Sequence, residues 1–155
     1  MEIRNFSNED AEKVSNLIRR NFLEVNIKDY SIEEMQERAN MFDTQKVLEV
    51  AGYAHMYVVC ADNHIIGCGA IASFWGKPDE SILLTIFVLP ELQGQGIGRA
   101  IIQKLEEDEL FINAKRIEIP ASITACEFYR KLGYDYKDGI NQLDEERLIR
   151  LEKFR

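Results

Sequence analysis

Ile82-Leu-Leu-Thr-Ile-Phe-Val-Leu-Pro-Glu-Leu-Gln-Gly-Gln-Gly-Ile-Gly-Arg-Ala-Ile-Ile102 passes through strand, loop and helix patterns in turn. The apolar, β-branched run from Ile82 to Val88 reads as a buried strand, and Pro90 and Glu91 end it. Gly94, Gly96 and Gly98 follow at alternate positions, and a helical pattern starts at Arg99. The first amides of a helix have no intrahelical partner, and the helix dipole favours negative charge there. Glycines allow the backbone to approach a phosphate and to adopt angles that a Cβ disfavours. The stretch therefore reads as a pyrophosphate cradle. It is not a P-loop, because Arg99-Ala100 stand where Lys-Ser/Thr is required. Its Gly-x-Gly-x-Gly spacing also differs from the dinucleotide fingerprint Gly-x-Gly-x-x-Gly.

A second block, Ala121-Ser-Ile-Thr-Ala-Cys-Glu-Phe-Tyr-Arg-Lys-Leu-Gly-Tyr134, follows a short strand over 116–120. It predicts a helix over 123–131, capped by Ser122 and closed by Gly133. Together the two blocks resemble the GCN5-related N-acetyltransferases. Gln93-Gly94-Gln95-Gly96-Ile97-Gly98 matches that family's pyrophosphate loop, [Gln/Arg]-x-x-Gly-x-[Gly/Ala]. Ala125, Phe128, Tyr129, Gly133 and Tyr134 match its Asn-x-x-Ala-x-x-Phe-Tyr-x-x-x-Gly-[Phe/Tyr] pattern, while Ser122 replaces the Asn. Ser122 reads either as a simple cap or as a shorter substitute for the Asn that often bonds the pantetheine arm.

The resemblance implies acetyl-CoA as cosubstrate and acetyl transfer from its thioester to a primary amine by direct attack. The backbones of Ile86, Phe87 and Val88 would bond the pantetheine amides, and residues 93–98 with Arg99 would hold the phosphates. The Val88 amide would serve as oxyanion donor, and Tyr129 would return a proton to the leaving thiolate. An unperturbed tyrosine titrates near ~10 and can donate at neutral pH. Glu80, Glu118 and a water ordered by Thr85 stay open as the base. The implied acceptor pocket draws on residues 22–45, 74–78 and 138–144, which offer Phe22, Tyr30, Met35, Met41, Phe42, Phe74 and Trp75. An inactive acetyl-CoA sensor or an interaction domain is the alternative reading.

The net charge of −8, from 19 Lys and Arg against 27 Asp and Glu, argues against a nucleic-acid partner. An anionic cofactor must then be held by loop amides and a few local cations, with Arg99, Lys104, Arg130 and Lys131 closest to the motifs. The run Glu106-Glu107-Asp108-Glu109 reads as a solvated helix end. Three scattered cysteines and two isolated histidines form no disulfide framework or metal-ligand pattern. No apolar run spans a membrane, and Met-Glu-Ile-Arg at the N-terminus lacks a signal-peptide core. A cytoplasmic, metal-free protein with a small-molecule or peptide amine acceptor and possible homodimerisation is expected.

The whole pattern predicts one domain over 1–155 with a mixed α/β fold. Its central sheet is mostly antiparallel and flanked by helices, in the order β-α-α-β-β-β-α-β-α-β-β. Helices are expected up to about Asn21, from Ser31 to Met41, over 98–111 and over 123–131, with a turn or two of helix at 45–50.

Overall fold

A computed structural model describes residues 1–155. Seven strands make one sheet: β1 (Glu2–Asn5), β2 (His55–Ala61), β3 (His64–Ser73), β4 (Glu80–Val88), β5 (Arg116–Ala121), β6 (Asp135–Tyr136) and β7 (Ile149–Phe154). Their spatial order is β1-β2-β3-β4-β5-β7-β6. All neighbours are antiparallel except β4 and β5. Helices α1 (Ala11–Glu24), α2 (Ile32–Met41) and α3 (Thr44–Tyr53) cover one face, where Val14, Leu17, Ile18 and Phe22 of α1 meet Val58, Cys68 and Ile82. Helices α4 (Ile97–Leu105), α5 (Glu109–Ile112) and α6 (Cys126–Lys131) cover the other, packing Ile101, Phe111 and Tyr129 against Ile71, Leu83 and Ile117. The expected mixed, mostly antiparallel α/β architecture is present.

Three helical elements differ from the sequence expectation, two of them here and the third, α6, at the cleft. The segment at 45–50 belongs to a full helix, α3, whose N-cap Asp43 accepts from the Lys46 amide at 2.9 Å. The helix expected over 98–111 breaks into α4 and α5, because Asp108 turns inward. Its carboxylate accepts from the Leu110 amide at 2.8 Å and from the Tyr57 hydroxyl at 2.5 Å, and it lies 3.0 Å from His55 Nδ1. The acidic run is therefore not uniformly solvated. Asp108 is buried, and Glu106 accepts from the Tyr134 hydroxyl and the Lys153 ammonium, both at 2.9 Å. A carboxylate with donors on several sides is stable where a bare one is not.

The close seat of α4 on β3 depends on glycine. A Cβ placed on Gly69 would lie 2.5 Å from Ile101 Cγ2, a methyl on a β-branched side chain with little rotamer freedom. Gly67 is nearly as tight, at 3.1 Å from Ile101 Cδ1. Gly69→Ala is expected to lower stability by about 1–3 kcal/mol through overpacking, read as a shifted urea midpoint with an unchanged slope; equal midpoints would contradict this packing.

Candidate cofactor and acceptor cleft

Strand β4 has two partners along its start and one along its end. It pairs with β5 only through Glu80–Arg116, Ser81–Ile117 and Ile82–Glu118. Beyond that point β5 follows β7 and β4 follows β3, so the two parallel strands part. An extra residue on β4 accompanies the parting: Cys68 faces Phe87, but Ala70 faces Leu84. Thr85 sits in this bulge with φ 50°, a left-handed conformation that a β-branched residue adopts only under constraint.

The ladder then determines which backbone groups face the gap. The Leu89 amide donates to the Ile66 carbonyl, so the neighbouring Gly67–Val88 pair is the non-bonded type. The Val88 N–H and C=O therefore point away from β3, toward the gap. By the same alternation Phe87 belongs to the β3 ladder, while Ile86 lies in the bulge and lines the gap. Of the three backbones expected to meet pantetheine, Val88 turns its polar groups to the gap, Ile86 lines it from the bulge, and the Phe87 amide and carbonyl are engaged with β3.

The gap opens into a cleft of about 650 Å³. The glycine loop closes one end. Gly94 (φ 77°) and Gly96 (φ 85°) take left-handed angles, with nothing within 4 Å of where a Cβ would lie. The amides of Gly94, Gln95, Gly96, Ile97, Gly98 and Arg99 find no acceptor in the protein. A row of free amides opening a helix is a site for an anion. Gly98 serves packing instead, since a Cβ there would meet Phe128 Cζ at 3.0 Å. The Gln93 side chain points inward: its amide donates to Asn21 Oδ1 and to the Val88 carbonyl, both at 3.1 Å. Asn21 Nδ2 donates to the same carbonyl at 2.9 Å, which ties α1 to the end of β4 and leaves the Val88 N–H free. Asn21 was missed by sequence reasoning, although a polar residue on the apolar stripe of α1 is a visible signal.

Of the four expected cations, Arg99 lines the cleft. Lys104 stands over the Tyr57 ring, Arg130 over Tyr136, and Lys131 is exposed outside the cleft. Tyr129 also lines the cleft, buried at 6% exposure, and its hydroxyl makes no hydrogen bond within the protein. Burial, with a small contribution from Cys68, holds its pKa well above the usual tyrosine value, so the proton stays on. Cys68 is fully buried with its thiol pushed up to about 12 by burial, which leaves no thiolate at neutral pH. Ser122 lines the cleft and its hydroxyl accepts from the Ala125 amide at 3.1 Å. Residues 123–125 form a turn, and the helix starts only at Cys126.

Neither carboxylate considered as a base lines the cleft. Glu80 accepts from Arg116 Nη1 at 2.8 Å. Glu118 accepts from Arg116 at 2.5 Å and Arg150 at 3.3 Å, with the Lys137 ammonium 3.0 Å away. Burial alone would raise the Glu118 pKa, but the hydrogen bonds from Arg116 and Lys137 outweigh it and hold the carboxyl below its usual value. Phe22, Met41 and Phe42 line the cleft as expected of an acceptor pocket. Met35 is core, and Phe74 and Trp75 lie outside. The Tyr30 hydroxyl donates to the Arg147 carbonyl and accepts from the Ile123 amide, joining three segments around the cleft.

An extended slot between parted strands that ends at a cradle of free amides suits a long ligand with phosphates at one end. Residues 12–134 match the model of the acetyltransferase (GNAT) family, and the chain belongs to that family, whose members use acetyl-CoA. Among solved structures, the PaiA N-acetyltransferase of Thermoplasma acidophilum, in complex with coenzyme A, is similar at TM-score 0.82 and 19% identity, covering 99% of this chain and 98% of that one. An aminoglycoside 6'-acetyltransferase type Ii matches at TM-score 0.71 and 18% identity, with 99% and 97% covered. A ribosomal-protein-alanine N-acetyltransferase of Brucella melitensis matches at 0.68 and 15%, with 100% of each chain covered. These likenesses concern the fold, and the named acceptors belong to those proteins. A search of curated proteins finds no match. No helix is long and apolar enough to cross a membrane.

Gly96→Val is expected to weaken acetyl-CoA binding by at least about tenfold, because a branched residue disfavours the left-handed angle that opens the cradle; calorimetry showing unchanged affinity would remove the cradle reading. Glu118→Gln is expected to destabilise the protein by on the order of 3 kcal/mol at neutral pH, by removing the only carboxylate of Lys137 and the most buried partner of Arg116 and Arg150. Glu118 has a folded pKa below its unfolded one, so its contribution is complete above about pH 4.3 and drains away as pH falls through the lower folded value. The difference between wild type and variant should shrink in that acid range; a constant difference across pH would assign it to shape alone.

Proposed function

We propose that the protein transfers an acetyl group from acetyl-CoA to a primary amine by direct attack, with Val88 and Tyr129 as its catalytic groups. The observation that carries this reading is the Val88 N–H, left free on the unpaired edge of β4 in the cleft that the Tyr129 hydroxyl also lines.

Acetyl-CoA supplies the activated acyl group. Ile86 and Val88 offer backbone groups to the pantetheine, and the amides of 94–99 with Arg99 offer donors to the phosphates. Ser122, whose hydroxyl oxygen already accepts from Ala125, can still donate its own proton into the cleft. The Gln93 side chain acts indirectly, by fixing the Val88 carbonyl. The Val88 N–H donates to the carbonyl oxygen as negative charge develops there, and its rigid placement favours the transition state over the ground state. The new C–N bond forms as the C–S bond breaks. The Tyr129 hydroxyl, kept protonated by burial, gives its proton to the departing sulfur. No carboxylate near the reacting groups is free to take the amine proton, so a water in the cleft, beside Thr85 on its wall, is the proposed carrier. Thr85 Oγ1 is buried and without a partner in the protein.

Thiol release from acetyl-CoA in the presence of amine acceptors tests the reaction. Tyr129→Phe is expected to lower kcat by about 10²-fold or more while leaving acetyl-CoA affinity intact; an unchanged kcat would remove Tyr129 from the mechanism. Because its pKa is raised, the rate should climb with pH as the amine loses its proton and should hold through about pH 10 without an alkaline fall caused by Tyr129. A fall centred near pH 8 would contradict that assignment.

A further inference from the structure

The charged side chains lining the cleft are Arg38, Lys46, Arg99 and Glu146. Arg99 belongs to the glycine-loop end. The other three come from α2, α3 and the segment before β7, Arg38 within and Lys46 and Glu146 just beyond the stretches assigned above to the acceptor. There the balance is cationic, although the chain as a whole carries −8. Glu146 is the one acid, and its carboxylate is turned to Arg150 Nη2 at 2.8 Å and largely exposed.

Arg38 and Lys46 are half-buried and poorly neutralised. The Arg38 guanidinium lies 5.2 Å over the Tyr30 ring and donates to the Glu146 main-chain carbonyl, but no carboxylate pairs with it. The Lys46 ammonium has only Glu49, at the 3.5 Å limit of a hydrogen bond. A third group points the same way. Asn26 is 7% exposed and lines the cleft, and its side-chain amide makes no hydrogen bond within the protein and stays open to the cleft. An uncommitted amide on the wall of a cleft can donate to and accept from a polar group that docks there. Around these three groups the wall is apolar, formed by Phe22, Val25, Met41, Phe42 and Leu148.

We infer that the acceptor is an amino acid with an apolar body, its carboxylate held by Arg38 and Lys46 and its polar groups by the Asn26 amide. The inference rests on the amine-acetylation reading above and narrows it. A guanidinium matches the geometry of a carboxylate, and an apolar wall strengthens the attraction by excluding water. The same site repels polyamines and aminoglycosides, since two cations face them and the single acid is already engaged.

The test uses the full chain with phenylalanine and methionine, with phenethylamine as the analogue lacking a carboxylate, and with spermidine as the polycation. Binding is read by calorimetry with and without coenzyme A, and turnover by thiol release. Phenylalanine or methionine should exceed phenethylamine in kcat/KM by about tenfold to a hundredfold, the range of a charge-assisted hydrogen bond. Arg38→Gln should raise KM for the amino acid by a similar factor, with kcat and the phenethylamine parameters little changed. Lys46→Gln should do the same more weakly, which guards against a folding defect peculiar to Arg38. Turnover of phenethylamine or spermidine as fast as the amino acids would overturn the inference while leaving acetyl transfer standing. Binding of the amino acids that Arg38→Gln abolishes, without turnover of any amine, would uphold the anionic site and sink the proposed reaction. No binding of either amino acid would overturn the inference outright.

Discussion

The parting of β4 from β5 after the Ile82–Glu118 pair is the constraint on which the rest of the structure turns. A parallel pair left unpaired along its length exposes amides and carbonyls that water or a ligand must satisfy. Each neighbouring feature holds the strands in this arrangement. The bulge at Thr85 bends β4, while Asn21 and Gln93 take the Val88 carbonyl and leave its N–H alone. On the other side β5 is drawn to β7 over six pairs, from Arg116–Phe154 to Ala121–Ile149. Arg116 closes the forked end by accepting no compromise in charge: Glu80, Glu118 and Glu152 all bond to its guanidinium. That cluster is also what keeps the carboxylates of Glu80 and Glu118 out of the cleft. Both are committed to keeping the fork shut at its root.

The electrostatics follow from the same geometry. A chain of net charge −8 has no long-range field to draw in an anion. At the cradle it offers dipoles, six amides in succession at the start of α4, whose effect is local and indifferent to the overall charge. At the other end, proposed above for the acceptor, it offers two side-chain cations, Arg38 without a carboxylate partner and Lys46 with only the distant Glu49. The donor half of the cleft is thus built mostly from backbone and the acceptor half mostly from side chains. Backbone geometry survives large sequence change, which agrees with a fold shared at TM-scores of 0.68 to 0.82 by chains only 15–19% identical. Side chains do not, and the differing acceptors named for two of those neighbours belong to the same pattern.

The donor half was accordingly the legible half in the sequence. Strand β4, Gly94 and Gly96 and the Phe128-Tyr129 pair all carry local signals, because turn chemistry and hydrophobic period depend on adjacent residues. What the sequence concealed depends on contacts between distant residues. Asp108 reads as one acid among four, and only the approach of His55 and Tyr57 from β2 shows why the helix breaks there. Gln93 matches the motif by letter, yet its side chain is spent on Asn21, far away in the chain. Ile86, Phe87 and Val88 look equivalent in a continuous apolar run. A bulge and one ladder bond, Leu89 to Ile66, decide which of them meet the gap. Such register is invisible in a single strand, because it belongs to the pair.

The placement of Tyr129 follows from packing as much as from chemistry. Its helix is short and lies against α4, where Gly98 leaves room for Phe128 and so lets α6 come close. The contact that seats Phe128 also buries the neighbouring Tyr129, and burial raises its pKa further above neutral pH. A tyrosine at the surface would hold its proton at neutral pH too, but water would then compete for every hydrogen bond it could make. In the cleft its hydroxyl has no protein partner, so its donor is uncommitted until a developing anion arrives. The desolvation that raises its pKa therefore strengthens the bond it can make to that anion. Core packing and the acid role proposed for Tyr129 thus call for a single arrangement, and the aromatic pair need not be assigned to one or the other.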